Sequence, residues 1–314
     1  MTLAHLHLIM NHVPTVGSVV ALALLILGYA RRNEHLKHVG LELLFVIAVL
    51  TLPVFVSGVA AHRELREVKE VSDDAIRIHQ DVAIFGFAWM EFAGFIAWVA
   101  LWQWRRRGAA ARGLVPVATA LLIVSLAVMG RAANLGGEIR HPEIRAADAA
   151  AATPGDPKRF VQYSINQTAV YSRWMWPAAE AVHFLGLSLS FGVLLAVNLR
   201  ILGAMKQIPF ADVHRLLPWG MLGFGANLIT GMFFFIGQPG QYVESDPFYW
   251  KVIFLVIAGA NFLYLTVFGK AWRDGDHDRF TPNVGDKAMA LLSLTAWLGV
   301  LYAGRMLPFL GRSF

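Results

Sequence analysis

The sequence has no cysteine in 314 residues. That absence excludes thiolate haem ligands, covalent c-type haem attachment, iron–sulfur clusters and disulfides. Any metal chemistry must therefore rest on His, Met, carboxylate or Tyr side chains. Charge is also scarce: 15% of residues are charged and 57% hydrophobic, with a mean hydropathy of +0.53. A soluble domain carries roughly 25% charged residues, so an integral membrane protein is expected. No P-loop, HExxH, GxSxG or GxGxxG motif occurs, and hydrolytic or nucleotide-driven chemistry has no support. The net charge of +6 needs no nucleic acid to explain it, because the basic excess falls in loops on one side. The extreme N-terminus is His-rich, not Lys/Arg-rich, and the first apolar run lacks a small-residue cleavage site, so no cleavable signal is expected.

A helix needs about 20 mainly apolar residues to cross the hydrocarbon core. Eight stretches qualify, at roughly 13–30, 40–61, 80–104, 114–134, 175–199, 216–237, 249–269 and 286–307. The expected fold class is an all-α integral membrane protein of eight transmembrane helices in two four-helix bundles. A His-rich domain would span 1–148, a loop or linker 149–172, and a second domain 173–314. The long 135–172 segment reads AADAAAATPGDPKR in its middle, whose Ala, Pro, Gly and charge lack periodicity and mark a linker or surface loop. Basic residues set orientation. Arg31, Arg32 and Lys37, then Arg105, Arg106, Arg107 and Arg112, mark two loops as cytoplasmic, and Arg200, Lys206, Arg215, Lys270, Arg273, Arg279 and Lys287 mark two more. Both termini are then periplasmic in a bacterial inner membrane. Trp174, Trp176, Tyr249 and Trp250 fall where interfacial aromatic belts belong.

Five histidines gather at the periplasmic ends of the first four runs: His7, His12, His62, His79 and His141. Runs that cross a bilayer alternate direction, which puts these positions on one face. Imidazole is the commonest metal ligand and a standard axial ligand of haem iron. A single interfacial histidine is most simply structural, since it is amphipathic and half solvated. Five on one face point to bound metal or haem. His12 and His79 both sit at helix starts of equal depth and are the expected haem b pair, with Pro14 suited to a first turn. His5 and His12 are seven apart and share a face if the helix extends upstream. His62 and His141 are left for a second haem or for propionates, with Arg63 and Arg140. His35, His38 and His277 read as solvated loop residues, and Glu91 as a buried polar contact or proton-path residue.

The segments HLHLIMNHVPTVG, DDAIRIHQDVA and ANLGGEIRHPEI together resemble an uncharacterised family of small bacterial four-helix membrane proteins. Its patterns are an H-x4-H-hydrophobic-P opening, a His starting the third helix, and a Gly-Gly turn followed by His. His7, His12, Pro14, His79, Gly136, Gly137 and His141 match these positions over about the first 145 residues. The chain departs from the family at His62, where an acidic, Pro-containing stretch is usual, and at Pro142, where Gly is usual. The second half, with EAVHFLGL and NLRILG, is loosely similar to another bacterial four-helix membrane domain. Its NFLYLTVFGKAW stretch lacks the His found there in related domains.

In that half Glu180 and His183 are three apart, so they share a helix face roughly 10–14 Å below the external end at 1.5 Å per residue. With Arg173 they form the candidate quinone site, the carboxylate and imidazole serving as proton acceptors; a structural hydrogen-bonded pair is the plainer alternative. Gly186, Gly192, Gly223, Gly225 and Gly231 suit close helix packing, and GQPGQY at 237–242 reads as a breaker cluster. The expectation is a b-type cytochrome-like subunit of a multi-subunit respiratory complex. It would carry one haem b, or two, and pass electrons between the quinone pool and a periplasmic c-type cytochrome or dehydrogenase. The rivals are a periplasmic-face copper protein, weakened by the lack of any Met-rich run, and a cofactor-free membrane anchor.

Overall fold

The computed structural model describes residues 3–65, 71–140, 160–268 and 281–310. Eight helices, Leu3–Ala30, Glu34–Leu65, Asp73–Arg107, Leu114–Ile139, Met175–Leu202, Phe210–Gly237, Asp246–Val267 and Val284–Leu307, are long and apolar enough to cross a membrane. Among the described residues there is no strand. The protein is all-α and multi-pass.

Each described span reaches past at least one of its expected boundaries, because hydropathy fades at the first charges while the helix continues. Helix α4 (Asp73–Arg107) shows why. The Ser72 hydroxyl accepts from the Ala75 N–H at 3.3 Å, two Asp open its first turn, three Arg close its last, and Gly108 ends it at φ +71°. Acidic N-termini and basic C-termini complement the helix dipole, and the left-handed cap suits glycine. The first span is α1 (Leu3–Met10) and α2 (His12–Ala30), interrupted only at Asn11. Asn11 keeps helical torsions, φ −63° and ψ −19°, and its N–H reaches the His7 carbonyl at 2.9 Å. Pro14, which cannot donate to the Met10 carbonyl, accounts for the interruption. The Leu3 and Ala4 N–H groups donate to the two oxygens of Glu64, 3.1 Å each, tying α1 to the end of α3 (Glu34–Leu65).

Two units divide the chain, Met1–Ser164 and Ile165–Phe314. In the first, α2, α3, α4 and α5 (Leu114–Arg140) pack in sequence, α2 also meets α5, and α1 lies on α3. Its core holds Leu25, Leu41, Leu44, Met90 and Leu122, all fully buried. The 135–172 segment is not all loop: α5 continues through Gly136 and Gly137 to Arg140, and α6 (Val161–Tyr171) occupies part of the expected 149–172 linker. The division between units falls inside α6. Residues 149–159 lie outside the described residues.

The second unit contains α7 (Met175–Leu202), α8 (Phe210–His214), α9 (Leu217–Gly237), α10 (Pro239–Val243), α11 (Asp246–Leu263) with a π turn at Tyr264–Phe268, and α12 (Val284–Leu310). α7 packs on α9 and α12, and α11 packs on α12. Gly186 and Gly223 let α7 and α9 meet backbone to backbone: a β-carbon on Gly223 would lie 2.6 Å from the Gly186 oxygen. Small residues at such crossings are the usual route to close helix approach in lipid. Gly192, by contrast, faces open space. Gly223→Ala is expected to cost about 1–3 kcal/mol through overpacking, seen as a lower thermal midpoint in detergent, while Gly192→Ala leaves the midpoint in place.

Candidate functional site

Helix phase sorts the N-terminal histidines. At about 100° per residue, His7, Pro14, Ala21 and Gly28 fall on one stripe, and Pro14, Ala21 and Gly28 are buried. His12, two residues before Pro14, lies on the opposite side and is exposed, as is His5. The shared face of His5 and His12 is thus real, but it is the outer one. His12, expected as the partner of His79, does not point into its unit; His7 does.

The His7 ring sits against α3. Its Nδ1 lies 3.0 Å from the Val54 carbonyl and 3.3 Å from the Ser57 hydroxyl, whose own proton goes to Val54 O at 2.9 Å. The His79 Nδ1 lies 2.8 Å from the Ala132 carbonyl on α5. A carbonyl oxygen only accepts, so each Nδ1 carries the proton and donates. Each Nε2 is left with a lone pair, and among the described residues neither makes a hydrogen bond. The two rings lie within electrostatic reach of each other.

Both contacts use the same local device. The accepting carbonyls already serve their helices, and the residue one turn onward is glycine in each case: Gly58 after Val54, Gly136 after Ala132. A β-carbon on Gly58 would stand 2.8 Å from His7 Cε1, and one on Gly136 3.2 Å from His79 Cε1. The glycines clear the space in which each ring meets a carbonyl's second lone pair. The Gly-Gly element expected as a turn is instead a helical seat for His79.

His62 has another duty. It is 6% exposed, and its Nε2 meets Asp73 Oδ1 at 2.8 Å while Asp73 Oδ2 accepts from Arg77 Nε at 2.7 Å. This clamp joins the end of α3 to the start of α4, so the nitrogen expected for a ligand is already engaged. His141 lies outside the described residues, as does His277. His35 is exposed in the first turn of α3, and His38 is no loop residue: it lies in α3, edge-on to Trp104 at 5.2 Å and 3.5 Å from Glu42. Among the described residues no three His, Asp or Glu side chains converge to hold a metal ion. A bis-histidine haem requires two.

Midway along α4, Glu91 shares a stripe with buried Ile84 and Trp98. Its Oε1 is shielded from solvent and has no hydrogen-bond partner among the described residues.

In the second unit His183 on α7 has its Nδ1 2.8 Å from the Thr230 hydroxyl. Thr230 gives its proton to the Ala226 carbonyl at 2.7 Å, so it accepts from His183, and that ring too presents a bare Nε2. Phe234 stands 5.8 Å from the imidazole and 4.6 Å from the Trp176 ring. Lys251 on α11 lies within electrostatic reach of His183; a β-carbon on Gly304 would stand 3.7 Å from its Nζ. Glu180 is exposed and close enough to act on Tyr242; burial first, then that carboxylate, push the phenol up to about 12, so Tyr242 stays a neutral donor. Arg173 is exposed and its guanidinium lies 5.4 Å over Trp174. Lys251 and Tyr242 were missed in the sequence. The signal for Lys251 was its spacing to Phe254, Ala258 and Phe262, the inward stripe of α11.

Gly136→Ala is expected to push the His79 ring off Ala132 O and to cost about 1–3 kcal/mol for the lost buried hydrogen bond. Gly130→Ala, on the same helix with nothing within 4 Å, serves as the control. Thermal unfolding reads the difference, and the downfield Nδ1–H resonance of His79 should vanish only in the former. No family model, no curated protein and no solved structure matches the chain.

Proposed function

We propose that this protein is a b-type cytochrome-like membrane subunit that passes electrons between the quinone pool and a periplasmic c-type cytochrome or dehydrogenase. His7 and His79 are the haem ligands in this reading, in place of His12 and His79. The observation that carries it is the matched pair of interior imidazoles, each fixed through Nδ1 to a main-chain carbonyl and each offering Nε2. That second-shell bond orients a ligand and raises its basicity. Bound haem iron would supply a one-electron centre.

The chain's own groups supply the setting. Gly58 and Gly136 make room for the two rings against their helices, and the His62–Asp73–Arg77 clamp ties the end of α3 to the start of α4. Loop charge assigns this end of the first unit to the periplasmic side of a bacterial inner membrane, with both termini there. A redox centre at that depth suits exchange with a soluble partner, within a larger respiratory assembly.

The test is a reduced-minus-oxidised spectrum with metal analysis on the purified full chain. A b-type band is expected, lost in His7→Ala and in His79→Ala and kept in His12→Ala. Stoichiometric copper without haem would replace this reading with copper handling, and absence of both would leave a membrane anchor.

A further inference from the structure

We infer that the second unit binds a quinol ring between Lys251 and His183. This rests on the electron-transfer reading for its purpose, but the binding claim stands on the unit's own chemistry.

Lys251 places an ammonium inside a membrane-spanning helix, against the bare backbone at Gly304 on α12. Among the described residues no carboxylate or other acceptor pairs with it. An ionisable group held in a span without a partner is costly, and such groups mark ligand or ion pathways. It therefore calls for a ligand that accepts a hydrogen bond or carries negative charge.

His183 narrows the choice. Its Nδ1 proton is committed to Thr230, whose proton is committed to Ala226 O. The remaining Nε2 can only accept, so the ligand must also donate. Lysine as donor and imidazole as acceptor fit a quinol, one of whose ring oxygens accepts from Lys251 while a ring hydroxyl donates to His183 Nε2. A fatty carboxylate would satisfy Lys251 but brings His183 no donor at neutral pH, and inorganic phosphate, which keeps a P–OH there, has no ring to meet the aromatic residues beside the imidazole. The walls agree: Phe234 and Trp176 form an aromatic face beside the imidazole suited to stacking on a flat ring. In the reduced ligand a ring hydroxyl donates to His183 Nε2, which is the group placed to receive that proton. Glu180, the sequence's other candidate, is exposed one turn away and acts on Tyr242; it is not part of the ring slot.

The experiment uses the purified full chain in nanodiscs, titrated anaerobically by calorimetry with a short-chain ubiquinol and a naphthoquinol kept reduced by excess dithionite. Saturable binding of at least one is expected. Lys251→Met should weaken it tenfold or more while raising the thermal midpoint, because an unpaired ammonium is replaced by an apolar chain of similar length. A merely structural lysine would lower both. His183→Phe should weaken binding similarly, and Ile253→Ala, on the exposed face of α11, should leave it unchanged. If Lys251→Met does not fold, His183→Phe and Lys251→Gln carry the test. No saturable quinol binding, affinity indifferent to both residues, or Lys251-dependent binding of oleate in place of quinol overturns the inference. A haem band with quinol affinity independent of Lys251 would sink this site alone. Lysine-dependent quinol binding without haem would keep the site and remove the proposed haem.

Discussion

A ring N–H inside a bilayer needs an acceptor, and a bundle of helices offers few. Backbone carbonyls already bonded one turn onward keep a second lone pair, but a β-carbon at that next turn crowds the approach. Glycine there opens it. The first unit uses this twice, at Val54/Gly58 and Ala132/Gly136, and everything proposed about its chemistry depends on those two contacts. They fix the tautomer, set the ring planes and decide that Nε2 is the nitrogen on offer. The second unit reaches the same end through a hydroxyl: Thr230 relays the His183 proton toward Ala226 O, and Gly231 stands beside the ring, 3.6 Å from Cε1 to where its β-carbon would be.

The same constraint separates histidines that share a depth. His62 meets a carboxylate, so its ring is a structural tie between α3 and α4. Breaking such a part-buried pair leaves a polar group without its partner, which is why ties of this kind are retained. His5 and His12 sit on the outer face of the first span and present no ring to the bundle interior. Depth alone grouped five histidines; only His7 and His79 combine interior position with an unengaged nitrogen among the described residues.

The eight spans were legible because twenty-residue apolar runs leave little else to build. The helix ends were less so, since Ser72 and Arg105–Arg107 extend α4 beyond its apolar run. His7 was legible in principle: it falls on the heptad of Pro14, Ala21 and Gly28, and an N-terminal helix continuing through Asn11 puts it inside. A histidine seven residues from another, His5 from His12, drew attention to the wrong stripe. Lys251 follows the interfacial aromatics Tyr249 and Trp250 directly, and only its helix phase with Phe254, Ala258 and Phe262 sets it apart from them. What no spacing could reveal is the acceptor of each ring, 47 residues from His7 and 53 from His79, because it depends on which helices pack together.

Each unit also keeps an ionisable group that its packing does not satisfy. Among the described residues Glu91 has a solvent-shielded oxygen without a partner, and Lys251 an ammonium without an acid. Apolar substitutes of similar volume would suit the lipid and the helix contacts better, since desolvating a charge outweighs most of what a distant counter-charge returns. Such groups persist in a membrane chain when a transient partner, a proton or a ligand, completes them. The histidines differ in this respect: their N–H groups are fully answered by the fold, and only their lone pairs wait. The fold therefore separates two kinds of polar interior, rings that are anchored and presented, and charges that are left for something else to neutralise. Electron transfer coupled to proton exchange needs both kinds, a fixed ligand set that does not move and a titratable group that can change state.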